Sequence, residues 1–371
     1  MRVAVTMLQC WHRTPGGTAR AAIGQADALR RMEGIEVVGV GPWGWRRWGR
    51  APDPRFTPTV PVRHLPAPHQ VLYETWHRWR HPSVQLATGP VDLLHATNLT
   101  VPPRRPGVPL IVTVHDLFPF QYPDQFTDRG RAMLHRGAEI TRAEADLVLC
   151  PSEATADDCQ AYGIERARLR VVHWGTDLTA AAPTDVAAVR ARHGLDGPFA
   201  LWVGTVEPRK NLAVLLRALA DVPPEAGPLV IVGPDGWMVD LDALLEPVRG
   251  RVRRLGYVPT EDLPALNAAA TVSVLPSLAE GFGFTALEAM AQGTPVIVSG
   301  GSASEEVVGP AGVVLPATDA SAWAASLTEL LTDEERAEQL GGQGRDRAQG
   351  FSWSRCGTTT AEAYRDVLRT G

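Results

Sequence analysis

The sequence predicts an α/β protein built from two doubly wound, Rossmann-like domains facing each other across a cleft. Three observations carry that expectation. Short β-branched runs alternate with helical patterns along the whole chain, as parallel sheets require. The runs of the second half are nearly continuous apolar stretches, the mark of strands covered on both faces. At 371 residues the chain is also too long for one ordinary core.

In chain order, strands are expected at RVAVTML, IEVVGVG, DLLHATN, PLIVTVHD, DLVLCPS and LRVVHWG, with helices near 18–32, 128–143 and 153–162. These make a first domain of residues 1–183. The segment 184–197 carries a short helical pattern, ends at Gly-Pro and reads as a hinge. The pattern then restarts with PFALWVGT, PLVIVGP, VRRLGYV, ATVSVLP and PVIVSG, giving a second domain of 198–350. The tail 351–371 reads as an amphipathic helix. In such sheets ligands sit beyond the carboxyl ends of the strands, at the point where strand order reverses. Motifs just after strands are therefore the ones to weigh.

Composition narrows the function classes. The chain is 44% hydrophobic and 21% charged with a net charge of −5, which argues against general nucleic-acid binding. The charge is uneven: residues 1–183 carry 21 Arg against 17 acids, and the remainder 15 bases against 24 acids. The basic half suits an anionic acceptor or a peripheral contact with the inner face of a membrane. Four cysteines, Cys10, Cys150, Cys159 and Cys356, show no metal-ligand spacing and fit reduced thiols. No leader is visible and no run reaches the length of a membrane span, so a cytoplasmic location is expected.

One stretch stands out. VGTVEPRKNL, residues 203–212, holds Lys210, the only lysine of the sequence, beside Arg209. Two cations after a strand and at the start of a helix are locally unfavourable against the helix dipole unless an anion lies between them. Arg grips phosphate through two parallel N–H bonds and Lys acts as a compact charge, so a diphosphate clamp is the expectation, a solvated charge pair the bland alternative.

A second constellation follows ATVSVLP. Glu280 falls in a loop, Gly281 and Gly283 let a ligand approach the backbone, and Phe284 and Thr285 open a helix that carries Glu288. Glu288 is placed to accept hydrogen bonds from two vicinal hydroxyls. Either carboxylate alone would be read as a cap or an exposed helical acid.

EPRKNL, followed about seventy residues later by EGFGFTALEAMAQGTPVIVSG, resembles the second domain of family-four retaining glycosyltransferases. The likeness extends to GPDGW, GYVPTEDLPALNAAA and the Trp353 to Tyr364 tail. It implies the GT-B fold, with the C-terminal helix returning to the first domain and a nucleoside-diphosphate sugar bound mainly by the second. On this likeness Arg209 and Lys210 bind the donor diphosphate, Glu280 contacts the transferred sugar and Glu288 the ribose. The donor-binding set also includes Gly281, Phe282, Gly283, Phe284 and Thr285. The sequence departs from many relatives at Phe284-Thr285, where they have Leu-Pro, and at Ser304-Glu305-Glu306, where they read Leu-Pro-Glu; the role of Glu306 stays open.

In the first half, His115 ends the strand of PLIVTVHD, where it can reach a ligand or bond to backbone; in mannosyltransferase-like relatives the matching histidine contacts the donor sugar. Asp116 reads as turn or capping chemistry. Gly16-Gly17, between first strand and first helix, is a weak signal that only the resemblance lifts to a diphosphate contact. Asp240-Leu-Asp242 spells a metal-binding DxD but lies at a helix start, where Asp caps; no metal and no cofactor are expected. The Trp/Arg-rich 43–81 region reads equally as an acceptor- or membrane-facing patch and as a surface loop with a helix.

The expected reaction is transfer of a sugar, GDP-mannose favoured as donor with UDP- or dTDP-sugars as alternatives, to a glycan, lipid-linked or small-molecule acceptor with retention of anomeric configuration. The rivals are a sugar-nucleotide 2-epimerase and a non-catalytic nucleotide-sugar-binding protein.

Overall fold

The computed structural model describes residues 1–12, 15–43, 53–236 and 238–370. The chain divides into two units, Met1–Gly175 with Trp353–Gly371, and Thr176–Ser352.

In the first unit seven parallel strands form one sheet: β1 (Arg2–Thr6), β2 (Glu36–Pro42), β3 (Val62–Leu65), β4 (Leu93–Ala96), β5 (Leu110–Thr113), β6 (Leu147–Cys150) and β7 (Leu169–Val171), in the order β3-β2-β1-β4-β5-β6-β7. The central register sets Val3 against Val37 on one side and Leu93 on the other. β4, β5 and β6 are buried along their whole length, the reason their sequences run apolar without alternation. β3 is the strand the sequence reading lacks. Its residues Arg63 and His64 are exposed at the sheet edge, so it has no apolar run to detect.

Helices cover the faces. Gly17–Arg30 follows β1; Asp128–Glu144 starts where the Thr127 side chain accepts from the Gly130 amide at 3.2 Å; and Glu153–Ala161 starts where Ser152 accepts from Thr155 at 3.1 Å. The helix Trp353–Thr370 completes this unit. It packs on Gly17–Arg30 through two glycines: a Cβ on Gly24 would lie 2.5 Å from the Trp353 ring, and one on Gly357 2.8 Å from the Ala28 Cβ. Gln25 donates to Thr360 Oγ1 at 3.0 Å, and the Tyr364 hydroxyl lies 2.7 Å from His95 Nδ1.

The second unit has six parallel strands: β8 (Ala200–Val203), β9 (Leu229–Val232), β10 (Val252–Gly256), β11 (Val272–Leu275), β12 (Val296–Ser299) and β13 (Val313–Leu315), ordered β10-β9-β8-β11-β12-β13. β13 is three residues long and part-exposed, and it too escapes the sequence reading. Two apolar clusters flank the sheet, one around Trp202, Leu215 and Trp323, the other around Phe199, Leu201 and Leu266.

Segment 184–197 differs from the hinge expected there. It is the helix Pro183–His193, capped by Gly194 in the left-handed region, and Val189 and Leu195 are buried in the second cluster. Sparse apolar content made it look like a linker, yet its two apolar anchors suffice to dock it. In the 43–81 region, residues 44–52 lie outside the described residues, as does Trp237 of GPDGW. The helix His69–Trp79 has a definite inner face of Leu72, Tyr73, Trp76 and His77, while Trp79 is exposed.

His95 is buried, and its other nitrogen lies 2.8 Å from Thr113 Oγ1. Tyr364→Phe therefore strips one partner from a buried ring nitrogen and is expected to cost about 1–3 kcal/mol, read as a lower urea midpoint. An unchanged midpoint would refute this account of how the last helix is held.

Candidate active site

In the second unit the chain leaves β8 for β9 and β10 at one edge, then returns to β11 and continues to β12 and β13 at the other. Strand order thus reverses between β8 and β11, and the loops leaving their carboxyl ends lie side by side. Both motifs that the sequence singled out are in these loops.

After β8 the backbone passes Gly204 to Glu207 and forms a 3-10 turn, Pro208–Lys210. Asn211 is left-handed with φ of 50°, and the helix begins only at Leu212. Arg209 and Lys210 therefore precede the helix instead of occupying its first turn. Left-handed Asn211 separates the turn from the helix, and its side-chain Nδ2 anchors it by donating to the Pro276 carbonyl at 2.9 Å and the Ala317 carbonyl at 2.7 Å. The same turn is stitched to the loop after β11 by Leu278 N–H to the Arg209 carbonyl at 2.8 Å and by Arg209 Nη1 to the Ala279 carbonyl at 2.7 Å.

That stitching brings three charged groups onto one another. Lys210 Nζ donates to Glu280 Oε1 at 2.6 Å, and Arg209 Nη1 lies 3.2 Å from Glu280 Oε2. The other arm of the guanidinium, Nη2, pairs with Glu207. All four side chains are largely shielded, Glu207 and Glu280 leaving 9% and 11% of theirs accessible. Burial pushes the Glu280 carboxyl up, but the Lys210 ammonium and the Arg209 guanidinium outweigh it, and its pKa falls from 4.5 to about 2. The Ser277 hydroxyl also bonds this carboxylate.

The chain continues through Gly281 and Gly283 into the helix Phe284–Ala291. Gly283 has φ of 102°, and a Cβ there would meet Ser304 Oγ at 2.7 Å, so both conformation and space demand glycine. Gly281, Phe284, Thr285 and Glu288 lie on the half-open side of this segment, while Ala286, Leu287, Ala289 and Met290 face the core. Phe282 is buried, its ring packed on Phe284 and Phe351, so its backbone is what it can offer a ligand. Ser304 is buried beside Gly283, and Glu305 caps its own helix by accepting from the Gly301 amide at 2.7 Å. Asp240 caps the helix Leu241–Leu245 through the Ala243 amide at 3.0 Å, and Asp242 pairs with Arg254 at 3.7 Å. That matches the capping reading of the DxD sequence.

His115, Gly16 and Gly17 belong to the first unit. There strand order reverses between β1 and β4. At the end of β1 the Thr6 hydroxyl oxygen accepts from the Thr97 amide at 3.0 Å, and Gln9 Nε2 donates to Thr97 Oγ1 at 2.7 Å. Thr97 is thereby held so that its carbonyl meets His115 Nε2 at 2.7 Å. A carbonyl only accepts, so Nε2 carries the proton and Nδ1 a lone pair; Nδ1 has no partner among the described residues. Burial lowers the His115 pKa to about 4 against the opposing pull of the Thr97 carbonyl, so the ring is neutral near pH 7. Its ring lies 5.0 Å from that of Trp174. Asp116 accepts from the Phe118 amide at 3.3 Å, a turn role. Gly16 precedes the helix Gly17–Arg30, and a Cβ on it would meet nothing within 4 Å. Glu207, Ser277 and Ser304 were not picked out from the sequence; the acid of EPRKNL was the one signal available.

Two doubly wound sheets with motif loops at the strand-order reversals define a ligand-binding α/β protein, and comparison with known proteins gives its class. Residues 186–347 match the model "Glycosyl transferases group 1" and residues 15–180 the model "Glycosyltransferase Family 4". The O-antigen chain mannosyltransferase B of Escherichia coli is 35% identical over 287 residues, 74% of this chain and 74% of that protein. A D-inositol 3-phosphate glycosyltransferase of Salinispora tropica is 32% identical over 321 residues, 76% of this chain and 65% of that protein. In fold, the chain is similar to Anabaena Alr3699/HepE, solved in complex with UDP and glucose, with a TM-score of 0.76, 20% identity and coverage of 99% and 100% of the two chains. The chain belongs to the family-four, group 1 glycosyltransferases, and the fold is GT-B. Among the described residues no helix is long and apolar enough to cross a membrane.

Because the Glu280 carboxyl titrates lower folded than unfolded, its contribution to stability is fully present above its ordinary value of 4.5 and is lost as pH falls toward about 2. The stability gap between wild type and Glu280→Gln, read from denaturant midpoints, is expected to narrow across that window. A gap independent of pH would contradict the ion-paired carboxylate.

Proposed function

We propose that this glycosyltransferase moves a mannose-type sugar from a nucleoside-diphosphate donor to an acceptor hydroxyl, with retention at the anomeric carbon. The observation that carries the reading is the pairing of Arg209 and Lys210 over the loop that leads to Glu280, at the reversal of strand order in the second unit.

Breaking the bond between the anomeric carbon and the phosphate oxygen builds negative charge on the diphosphate and positive charge on the sugar ring. Arg209 and Lys210, held in place by the loop after β11, are preorganised to meet the first. The acceptor oxygen bonds to the anomeric carbon on the face the phosphate leaves, and its proton passes to the departing phosphate oxygen. No protein nucleophile enters this route. Glu280 lies where it can orient the transferred sugar, and Glu288 is assigned to the ribose hydroxyls. His115, neutral and with its Nδ1 lone pair available, accepts a hydrogen bond from a sugar hydroxyl, and orientation of this kind is a major rate contribution. Gly16, where a side chain would meet nothing within 4 Å, and Gly17 at the helix start are assigned to the donor diphosphate.

GDP-mannose is favoured as donor because of the VHDLFPF string and the mannosyltransferase relative, with UDP- or dTDP-sugars next. The acceptor class is a glycan, a lipid-linked glycan or a small metabolite. A peripheral membrane contact through the basic first half, at the cytoplasmic face, belongs to the same reading. No cofactor enters, since Asp240 is committed to its cap.

A panel of GDP-, UDP- and dTDP-sugars, scored by release of nucleoside diphosphate with and without acceptors, tests the function. Lys210→Ala is expected to cut turnover on the best donor by about 10²–10³ with an unchanged circular dichroism spectrum. A wild-type rate in that variant, or no turnover by wild type across the panel, would sink the reading. Activity is expected to survive EDTA undiminished; loss that Mg²⁺ or Mn²⁺ restores would reverse the assignment of Asp240.

A further inference from the structure

By count the site is charge-balanced before any ligand arrives, with Arg209 and Lys210 facing Glu207 and Glu280. The two carboxylates are not equivalent. Glu207 belongs to the same turn as the arginine and holds its Nη2 edge, where it fixes the plane of the guanidinium. Glu280 sits on the groups a diphosphate needs: Oε1 is on the Lys210 ammonium at 2.6 Å and Oε2 faces Arg209 Nη1 at 3.2 Å. It stands in a loop with glycines at 281 and 283, so it can turn aside without disturbing a regular element.

Resting on the reading of this cluster as the donor diphosphate site, we propose that Glu280 is its resident counter-ion: it occupies Lys210 and Arg209 in the empty enzyme, yields them to the incoming diphosphate, and takes them back as the nucleoside diphosphate leaves. Two anions compete for the same ammonium and guanidinium protons, and whichever is absent leaves the cations underpaired in a shielded site. The carboxylate therefore weakens product binding and speeds release. It also keeps the cations from binding stray phosphate between turnovers. With Glu207 remaining as the one acid, loss of the Glu280 charge leaves the cluster net positive, and its affinity for a diphosphate rises.

This separates the proposal from a merely structural role. A carboxylate that only props up the loop would, when neutralised, leave nucleoside-diphosphate affinity the same or lower. A resident counter-ion, when neutralised, raises it while turnover falls, because product leaves more slowly and the sugar loses a contact.

The test uses the full chain as wild type, Glu280→Gln and Glu280→Asp, titrated with GDP, UDP and dTDP by calorimetry. Lysine labelled with ¹³C at Cε gives a parallel titration read at one residue, since Lys210 is the only lysine in the sequence. Glu280→Gln is expected to bind its preferred nucleoside diphosphate about tenfold tighter or more, with a matching fall in the product-inhibition constant. Glu280→Asp keeps the charge on a shorter arm and should lie between the two. Unchanged or weaker binding by a folded Glu280→Gln overturns the proposal and leaves the donor-site reading standing. If the Gln variant does not fold, failure of Glu280→Asp to tighten binding overturns it in the same way. A wild type that binds none of the three, with no change at Lys210, removes both.

Discussion

The second unit depends on one shared carboxylate. Glu280 lies after β11 and its two cations after β8, so a single side chain ties together the loops that leave the two central strands. Burying any one of these charges alone would be costly. Held as a group, with Ala279, Leu278 and Asn211 supplying backbone and amide bonds around them, they make a shielded polar floor at the place where a parallel sheet offers room for a ligand.

The corresponding place in the first unit carries a chain of neutral groups that fix one another: Thr6 and Gln9 hold Thr97, and Thr97 holds His115. Behind them His95 is gripped by Thr113 and Tyr364, and burial lowers its pKa to about 3. Both histidines stay uncharged near neutral pH because burial disfavours an imidazolium. The contrast is chemical: paired cations at the strand ends of one unit, hydrogen-bonded neutral groups at those of the other.

Most of the strand framework was legible because buried parallel strands write their burial into continuous apolar runs, as in Leu147–Cys150 and Val272–Leu275. β3 and β13 were illegible because they are short edge strands with accessible side chains. The short helical pattern at 184–197 was readable, but its docking was not, because alanine and charge dominate it and only a few apolar side chains such as Val189 anchor it. In the site, the residue types and the loops that carry them were readable from EPRKNL and the two glutamates. What no pattern reveals is who pairs with whom. The left-handed Asn211, the grip of Glu207 on Arg209 and the lone-pair orientation of His115 all depend on atoms brought in from distant sequence.

The return of the final helix to the first unit has a bearing on synthesis. The second unit is one uninterrupted stretch, Thr176–Ser352, whereas the first joins Met1–Gly175 to Trp353–Gly371. The first unit, although made earlier, must wait for Trp353 to cover Gly24 and for Tyr364 to reach His95. Completion of the first unit thus requires that the whole of the second be made before it, and until that helix docks, Gly24 and His95 lack the partners that cover them.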